Sequence, residues 1–193
     1  MKESIAKKVR ESHEVAARFF DENATRLEAC VRALAARMHD GGRLYTMGNG
    51  GSACDAAHVA VEFLHPVVEK RRALPAIPLG ADTALLTAIG NDLDYGDVFQ
   101  RQLDVLATPR DAVLGISTSG ASANVVRALK HARERGLLTL GFAGRDGGRM
   151  VDVCEHCFVV PTWSIHRVQE THTLLLHLLW DLVHVALGED DVL

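Results

Sequence analysis

The chain has 193 residues, 48% of them hydrophobic and 24% charged, which excludes a disordered or fibrous chain and suits one domain with a full core. Its formal net charge of −4 leaves no basic footprint, so nucleic acid is not expected as a direct ligand. No run of about 18 apolar residues exists to span a bilayer, and the opening MKESIAKKVRESHEV has no apolar stretch of the kind an export signal needs. A soluble, cytoplasmic protein without membrane contact is the expectation.

In chain order, residues 3–38 read as helix, with apolar or small positions at helical spacing from Ile5 and Val9 to Leu34 and Met38. Asp21-Glu22-Asn23 is a candidate break, after which Asn23 or Thr25 could cap a second helix, and Gly41-Gly42 ends the region. The pattern then changes to short apolar runs between helical segments. Strands are expected at 44–47, 76–79, 112–116, 138–142 and 158–160. Helices are expected at 52–64, 83–89, 97–107 and 122–135, with a short one near 147–153 and a long apolar one over about 165–187. Such alternation implies right-handed crossovers and a mainly parallel sheet covered on both faces. The last helix is apolar around most of its circumference, which points to burial on more than one side and to an interface between subunits. The division expected is a helical segment over 1–40 and an α/β unit over 41–193, forming one domain.

The four cysteines are Cys30, Cys54, Cys154 and Cys157. Only the last two form a C-x-x-C, and they run into the apolar Phe158-Val159-Val160 instead of opening a helix. They are read as reduced thiols beside a strand, with a redox pair as the alternative.

Ligands of open α/β sheets bind at the C-terminal ends of strands, so the strand-to-helix junctions carry the chemistry. Gly48-Asn49-Gly50-Gly51-Ser52 joins the first strand to a helix; its glycines let backbone approach an anion at a helix N-terminus, or simply make a tight turn. It lacks the Lys-Ser/Thr ending of a triphosphate loop and the G-x-G-x-x-G spacing of a dinucleotide fingerprint. Ser117-Thr118-Ser119-Gly120-Ala121-Ser122 gathers hydroxyls and free N–H groups at another helix start. This is an anion nest without a lysine, fitting a small phosphomonoester better than a nucleoside triphosphate; the alternative is a single serine cap in a polar loop. Asn91-Asp92, after Gly90, reads on spacing alone as a turn or helix stop.

Metal-type residues lie on two helices. His58 and Glu62 are four apart and share a face. Gln169 and His177 lie on the last helix with His172 between them, and histidine with carboxylate suits zinc or a similar ion. A histidine inside an apolar helix can equally be a hydrogen-bonded core residue. Gln169 and His177 are separated by roughly 12 Å of helical rise and about 80° of rotation. One ion reaches both only if the helix starts irregularly, the side chains lean together, or different subunits supply them.

The segments GNGGSACDAAHVAVEFL, LLTAIGNDLDYGDVF, DAVLGISTSGASANVVRAL and RVQETHTLLLH, in this order and spacing, closely resemble the sedoheptulose 7-phosphate isomerases, phosphoheptose isomerases of the sugar isomerase (SIS) fold. The resemblance covers nearly the whole chain. It implies a flavodoxin-like three-layer αβα sandwich on a five-stranded, mainly parallel sheet, assembled as a homotetramer with active sites between subunits. It implies substrate contacts from Asn49, Gly50, Gly51 and Ser52, from Asn91 and Asp92, and from Gln169, with Asp55 at the site edge. Ser117, Thr118, Ser119 and Ser122 would hold the phosphate. His58, Glu62, Gln169 and His177 match zinc ligands, one Zn²⁺ per subunit, and Glu62 and His177 match a catalytic pair. The implied reaction interconverts sedoheptulose 7-phosphate and D-glycero-D-manno-heptose 7-phosphate through an enediol, in bacterial heptose precursor and lipopolysaccharide biosynthesis.

The alternatives are a non-enzymatic tetrameric adaptor of the replication initiator on the same fold, another phosphosugar isomerase or etherase, and a sugar-phosphate sensor. An adaptor has no need of the four metal-type residues or of the intact hydroxyl loop. Trp163, in Pro161-Thr162-Trp163-Ser164, is expected to cover the pocket or pack at a subunit contact; His65 is read as a helix cap and Asp146-Gly147-Gly148 as a turn.

Overall fold

A computed structural model describes residues 1–67 and 71–191. Its elements are α1 (Lys2–His39), β1 (Leu44–Gly48), α2 (Gly51–Leu64), β2 (Ala76–Pro78), α3 (Thr83–Asp92), a 3₁₀ turn (Tyr95–Asp97), α4 (Gln100–Leu106), β3 (Ala112–Ser117), α5 (Ala123–Glu134), β4 (Leu138–Gly144), α6 (Met150–Val153), β5 (His156–Val160) and α7 (Ile165–Ala186). The five strands pair in parallel in the order β2-β1-β3-β4-β5, the three-layer sandwich expected.

A parallel sheet is covered on both faces, so its strands are apolar throughout instead of alternating with polar residues. β1, β3 and β4 are buried at every position. Alternate residues feed two cores. Leu44, Leu114, Ile116, Leu140 and Phe142 meet α1, α2 and α7 on one face. Tyr45, Met47, Val113 and Ala143 meet the α4–α6 side. Thr46, buried among them, satisfies its hydroxyl by donating to Ala56 O at 2.7 Å.

Three sequence expectations need correction. The proposed break at residues 21–23 is absent: α1 is continuous, because Asn23 Nδ2 donates to Phe19 O one turn back at 2.8 Å instead of capping a new helix. The face carrying Phe19, Leu27, Cys30, Val31 and Leu34 then runs unbroken into the core. The helix expected over 97–107 divides into the 3₁₀ turn and α4, since Asp94 Oδ1 accepts from Gly96 N at 3.0 Å and starts a tighter turn first. Asn91-Asp92 does not stop a helix that ends at 89; both residues lie in the last turn of α3. His65 is the C-cap of α2, as expected. Asp146-Gly147-Gly148 is a turn, with Asp146 Oδ1 accepting from Gly148 N.

The site-forming feature is the switch in strand order. From β1 the chain crosses to β2 on one side and then returns past β1 to β3 on the other, which opens a crevice between the C-terminal ends of β1 and β3.

Candidate active site

Two loops line that crevice. The first turns at Gly50, whose φ of +56° favours glycine, and α2 starts there without a side-chain cap. Ser52 N donates to Asn49 O and Ala53 N to Gly50 O, so in the first turn the N–H of Gly51 is the one left for a ligand among the described residues. A Cβ at the neighbouring Gly51 would strike the amide of Gln169, so α7 stands directly against this loop.

The second loop follows β3. Ser117 Oγ lies 2.9 Å from Ser122 Oγ and 3.3 Å from Ser119 Oγ, and Ser119 Oγ also accepts from Ala121 N at 3.2 Å. Ser122 occupies the N-cap of α5 but makes no capping bond with its side chain. The simple cap reading therefore fails: the hydroxyls turn toward one another, and while Val125 N donates to Asn124 Oδ1 at 3.0 Å, the N–H groups of Ala123 and Asn124 stay open among the described residues. Gly120 holds the turn at φ +61°, where a Cβ would collide with the carbonyl of Gly147.

A contact not anticipated from sequence ties the loops together. Asn49 and Asn124 exchange amide hydrogen bonds, each Nδ2 donating to the other's Oδ1 at 2.9 Å. Asn124 is buried in the first turn of α5, and only its place two residues beyond Ser122 hinted at a role. Tyr95 Oη reaches Asn49 Oδ1 at 3.4 Å. Asn91 and Asp92 remain exposed and bonded to each other, linked to the glycine loop through Tyr95, whose ring edge lies 3.6 Å from a Cβ built on Gly90.

Along α2, His58 Nε2 lies 3.1 Å from Glu62 Oε1, and across on α7 His177 Nε2 lies 3.3 Å from His58 Nε2. Ligand atoms of all three residues fall within 4.8 Å of one another. Two imidazole Nε2 atoms and a carboxylate converging on one point form a cation's donor set. With Zn–N near 2.0–2.1 Å, tetrahedral neighbours stand roughly 3.3–3.4 Å apart, close to the spacing seen. The residues present thus fit a zinc ion.

α7 is helical from Ile165 onward, so an irregular start does not bring Gln169 to the same point as His177. Gln169 stands instead over Gly51, two turns before His58. Asp55, one turn ahead of His58, is half-buried with Oδ2 unpartnered; burial raises its pKa, and the nearby His58 partly offsets this. His172, between the two, is a core residue: it is fully buried and Nε2 donates to Ala143 O at 3.1 Å.

Cys154 and Cys157 are buried free thiols, both packed over Gly141, as read from the sequence. Trp163 is 72% exposed. Among the described residues no helix is long and apolar enough to cross a membrane.

A SIS domain family profile matches residues 9–144. The phosphoheptose isomerase of Aquifex aeolicus is 42% identical over 189 residues, spanning 98% of this chain and 99% of that one. The phosphoheptose isomerase of Thermodesulfovibrio yellowstonii is 40% identical, with 98% and 94% covered. Among solved structures, phosphoheptose isomerase GmhA from Neisseria gonorrhoeae superposes with a TM-score of 0.87 at 34% identity, covering 94% of this chain and 97% of that one.

Proposed function

Since this chain belongs to the phosphoheptose isomerase family of SIS-domain proteins, we propose that it interconverts sedoheptulose 7-phosphate and D-glycero-D-manno-heptose 7-phosphate. The observation that carries the reading is the convergence of His58, Glu62 and His177 on α2 and α7, in the same chain as an open hydroxyl loop. Ser117, Thr118, Ser119 and Ser122, with the free N–H groups of α5, are assigned to the phosphate. Asn49, Gly50, Gly51 and Ser52 bind the sugar, with Gln169 over Gly51 and Asn91 and Asp92 at the rim.

Aldose–ketose exchange moves one carbon-bound proton between neighbouring carbons. Glu62 takes the proton from C1 of the ketose and returns it to C2, its two oxygens serving the two carbons of a cis-enediol. His177 moves the hydroxyl proton from O1 to O2. Asp55, whose pKa burial raises, lies at the site edge. His58, Glu62 and His177, with Gln169 as the fourth residue implied by the family pattern, would hold one Zn²⁺. When bound, zinc supplies Lewis acidity that stabilises negative charge on the substrate oxygens. A carboxylate that also ligates metal is a weaker base, so ligation and proton transfer by Glu62 are in tension, which a loosely held ligand would relieve.

The assembly is read as a homotetramer with sites completed between subunits. An open groove of about 560 Å³ between α1 and α7, lined by Phe20, Leu27, Val31, Leu178 and Leu182, supports a second copy covering this face. The protein is placed in the cytoplasm, in heptose precursor biosynthesis.

The test is proton exchange followed by NMR. Sedoheptulose 7-phosphate is incubated with the protein in D₂O, metal-stripped and then zinc-restored. An aldose anomeric signal with deuterium at C2 is expected, stronger with zinc. No turnover in either sample, with the oligomer intact, overturns the isomerase reading and favours the adaptor or the sensor.

A further inference from the structure

The hydroxyl loop poses a problem of charge. A phosphate monoester carries close to two negative charges at neutral pH. Yet among the described residues no lysine or arginine side chain donates to residues 117–122. Arg127, on the same helix, is held by Asp94 and Asp97. From three observations on the adjoining turn we propose that Arg145 is the missing cation, a specificity-determining residue for the phosphate end of the substrate. The proposal rests on the isomerase reading for the identity of that substrate.

The first observation is the backbone. Arg145 has φ +60° and is, among the described residues, the one non-glycine residue with positive φ. A long side chain in this region is disfavoured, and such conformations gather at functional sites. Arg145 N donates to Thr162 O at 3.1 Å, which fixes the turn against the segment leading into α7.

The second is the side chain. It forms no ion pair or side-chain hydrogen bond among the described residues, and its Nε is buried without a partner. Its Cζ sits 5.2 Å from the ring centroid of Trp163, which is otherwise exposed. A guanidinium resting on an aromatic face, with its donors unspent, is available for a phosphate, which it matches as a planar fork. This also gives Trp163 a task.

The third is position. The Arg145 turn and the hydroxyl loop interlock through backbone: Met150 N donates to Gly120 O at 3.1 Å, and a Cβ on Gly144 would lie 2.6 Å from Thr118 O. Ser117 and Ala143 pair across β3 and β4, so both loops leave the same edge of the sheet.

Arg145→Gly separates this role from a structural one, because glycine adopts the positive φ without strain. The expected result is a Tm equal to or above wild type, with KM for sedoheptulose 7-phosphate raised about 10- to 100-fold and kcat changed far less. Inorganic phosphate, titrated calorimetrically, should bind the variant more weakly by a similar factor. Arg145→Lys should recover part of both, and Trp163→Ala should raise KM by a smaller factor. Unchanged KM and phosphate affinity in Arg145→Gly overturns the proposal. So does a fall in Tm with kcat and KM degraded together, the mark of a packing role. The phosphate titration needs no turnover, so a wild-type protein that binds phosphate without isomerising the sugar defeats the isomerase reading and leaves the Arg145 comparison standing.

Discussion

His58 and His177 present their Nε2 atoms to each other at 3.3 Å, with ring planes at 80°, from positions 119 residues apart. Two parallel helices make this possible. α2 and α7 meet at Gly51 and Gln169 near their N-termini, at His58 and His177 in the middle, and at Phe63 and His184 beyond, where the rings stack with centroids 6.3 Å apart. Behind that stack Arg71, its side chain 3% exposed, pairs with Asp181 and lies over Trp180, while Glu189 accepts from His184 at 3.0 Å. His58, Glu62 and His177 thus sit between two further contacts of the same helix pair.

A donor set pre-arranged in this way should bind zinc without large rearrangement. Calorimetric titration of metal-stripped protein should give one zinc per chain. His58→Ala should weaken binding by more than about 100-fold, beyond the 10- to 100-fold typical of residues that merely support a ligand. Equal affinity in the variant would remove His58 from the site.

Glu62 carries the proton in the proposed reaction, so Glu62→Gln should lower kcat by about 10²- to 10⁴-fold. Its side chain is 17% exposed and pairs with His58, so the fold should survive with Tm within a few degrees. Near-normal turnover in a folded Glu62→Gln protein would end the assignment of Glu62 as the base.

Substitutions in the hydroxyl loop should differ sharply by type. Ser119→Ala removes one hydrogen bond to the anionic phosphate, about 1.5–3 kcal/mol, and should raise KM by about tenfold or more. Gly120→Ala places a Cβ at positive φ against the Gly147 carbonyl. It should destabilise the protein by more than about 2 kcal/mol and disrupt the Arg145 turn with it. Chemical denaturation distinguishes the two; equal stability of both variants would mean that the turn can relax around the methyl.

The sheet and both loops were readable in the sequence because a doubly covered parallel sheet writes its strands as short apolar runs and ends them at glycine- or serine-rich junctions. The break wrongly placed in α1 arose from Asn23, whose side chain is a cap in one context and a bond to the preceding turn in another. The residue type does not distinguish them. The pairing of Asn49 with Asn124 joins two ends of the crevice that no local pattern connects. Likewise Arg145 carries no mark of positive φ, since that conformation is ordinarily signalled by glycine. For Gln169, helical arithmetic left three routes to the ion; the regular start of α7 removes one of them.

His172 predicts a pH dependence of stability. It is fully buried, with Nε2 donating to Ala143 O and Nδ1 without a partner, so a second proton has no acceptor. Burial lowers its pKa to about 4, against a small opposing effect of the bond to Ala143. The unfolded chain, titrating near 6.5, therefore takes up the proton first. Stability contributed by neutral His172 is fully present above about pH 6.5 and is lost as pH falls toward 4. The difference of about 2.5 pH units corresponds to roughly 3 kcal/mol. Burial lowers the pKa of His184 as well, with Glu189 acting against it, so it adds in the same direction. Unfolding measured between pH 4 and 8 should show a steep loss below 6.5 in the wild type and a shallower one in His172→Gln, which keeps an amide donor for Ala143 O but does not titrate. Parallel profiles for the two proteins would show that the acid sensitivity arises elsewhere.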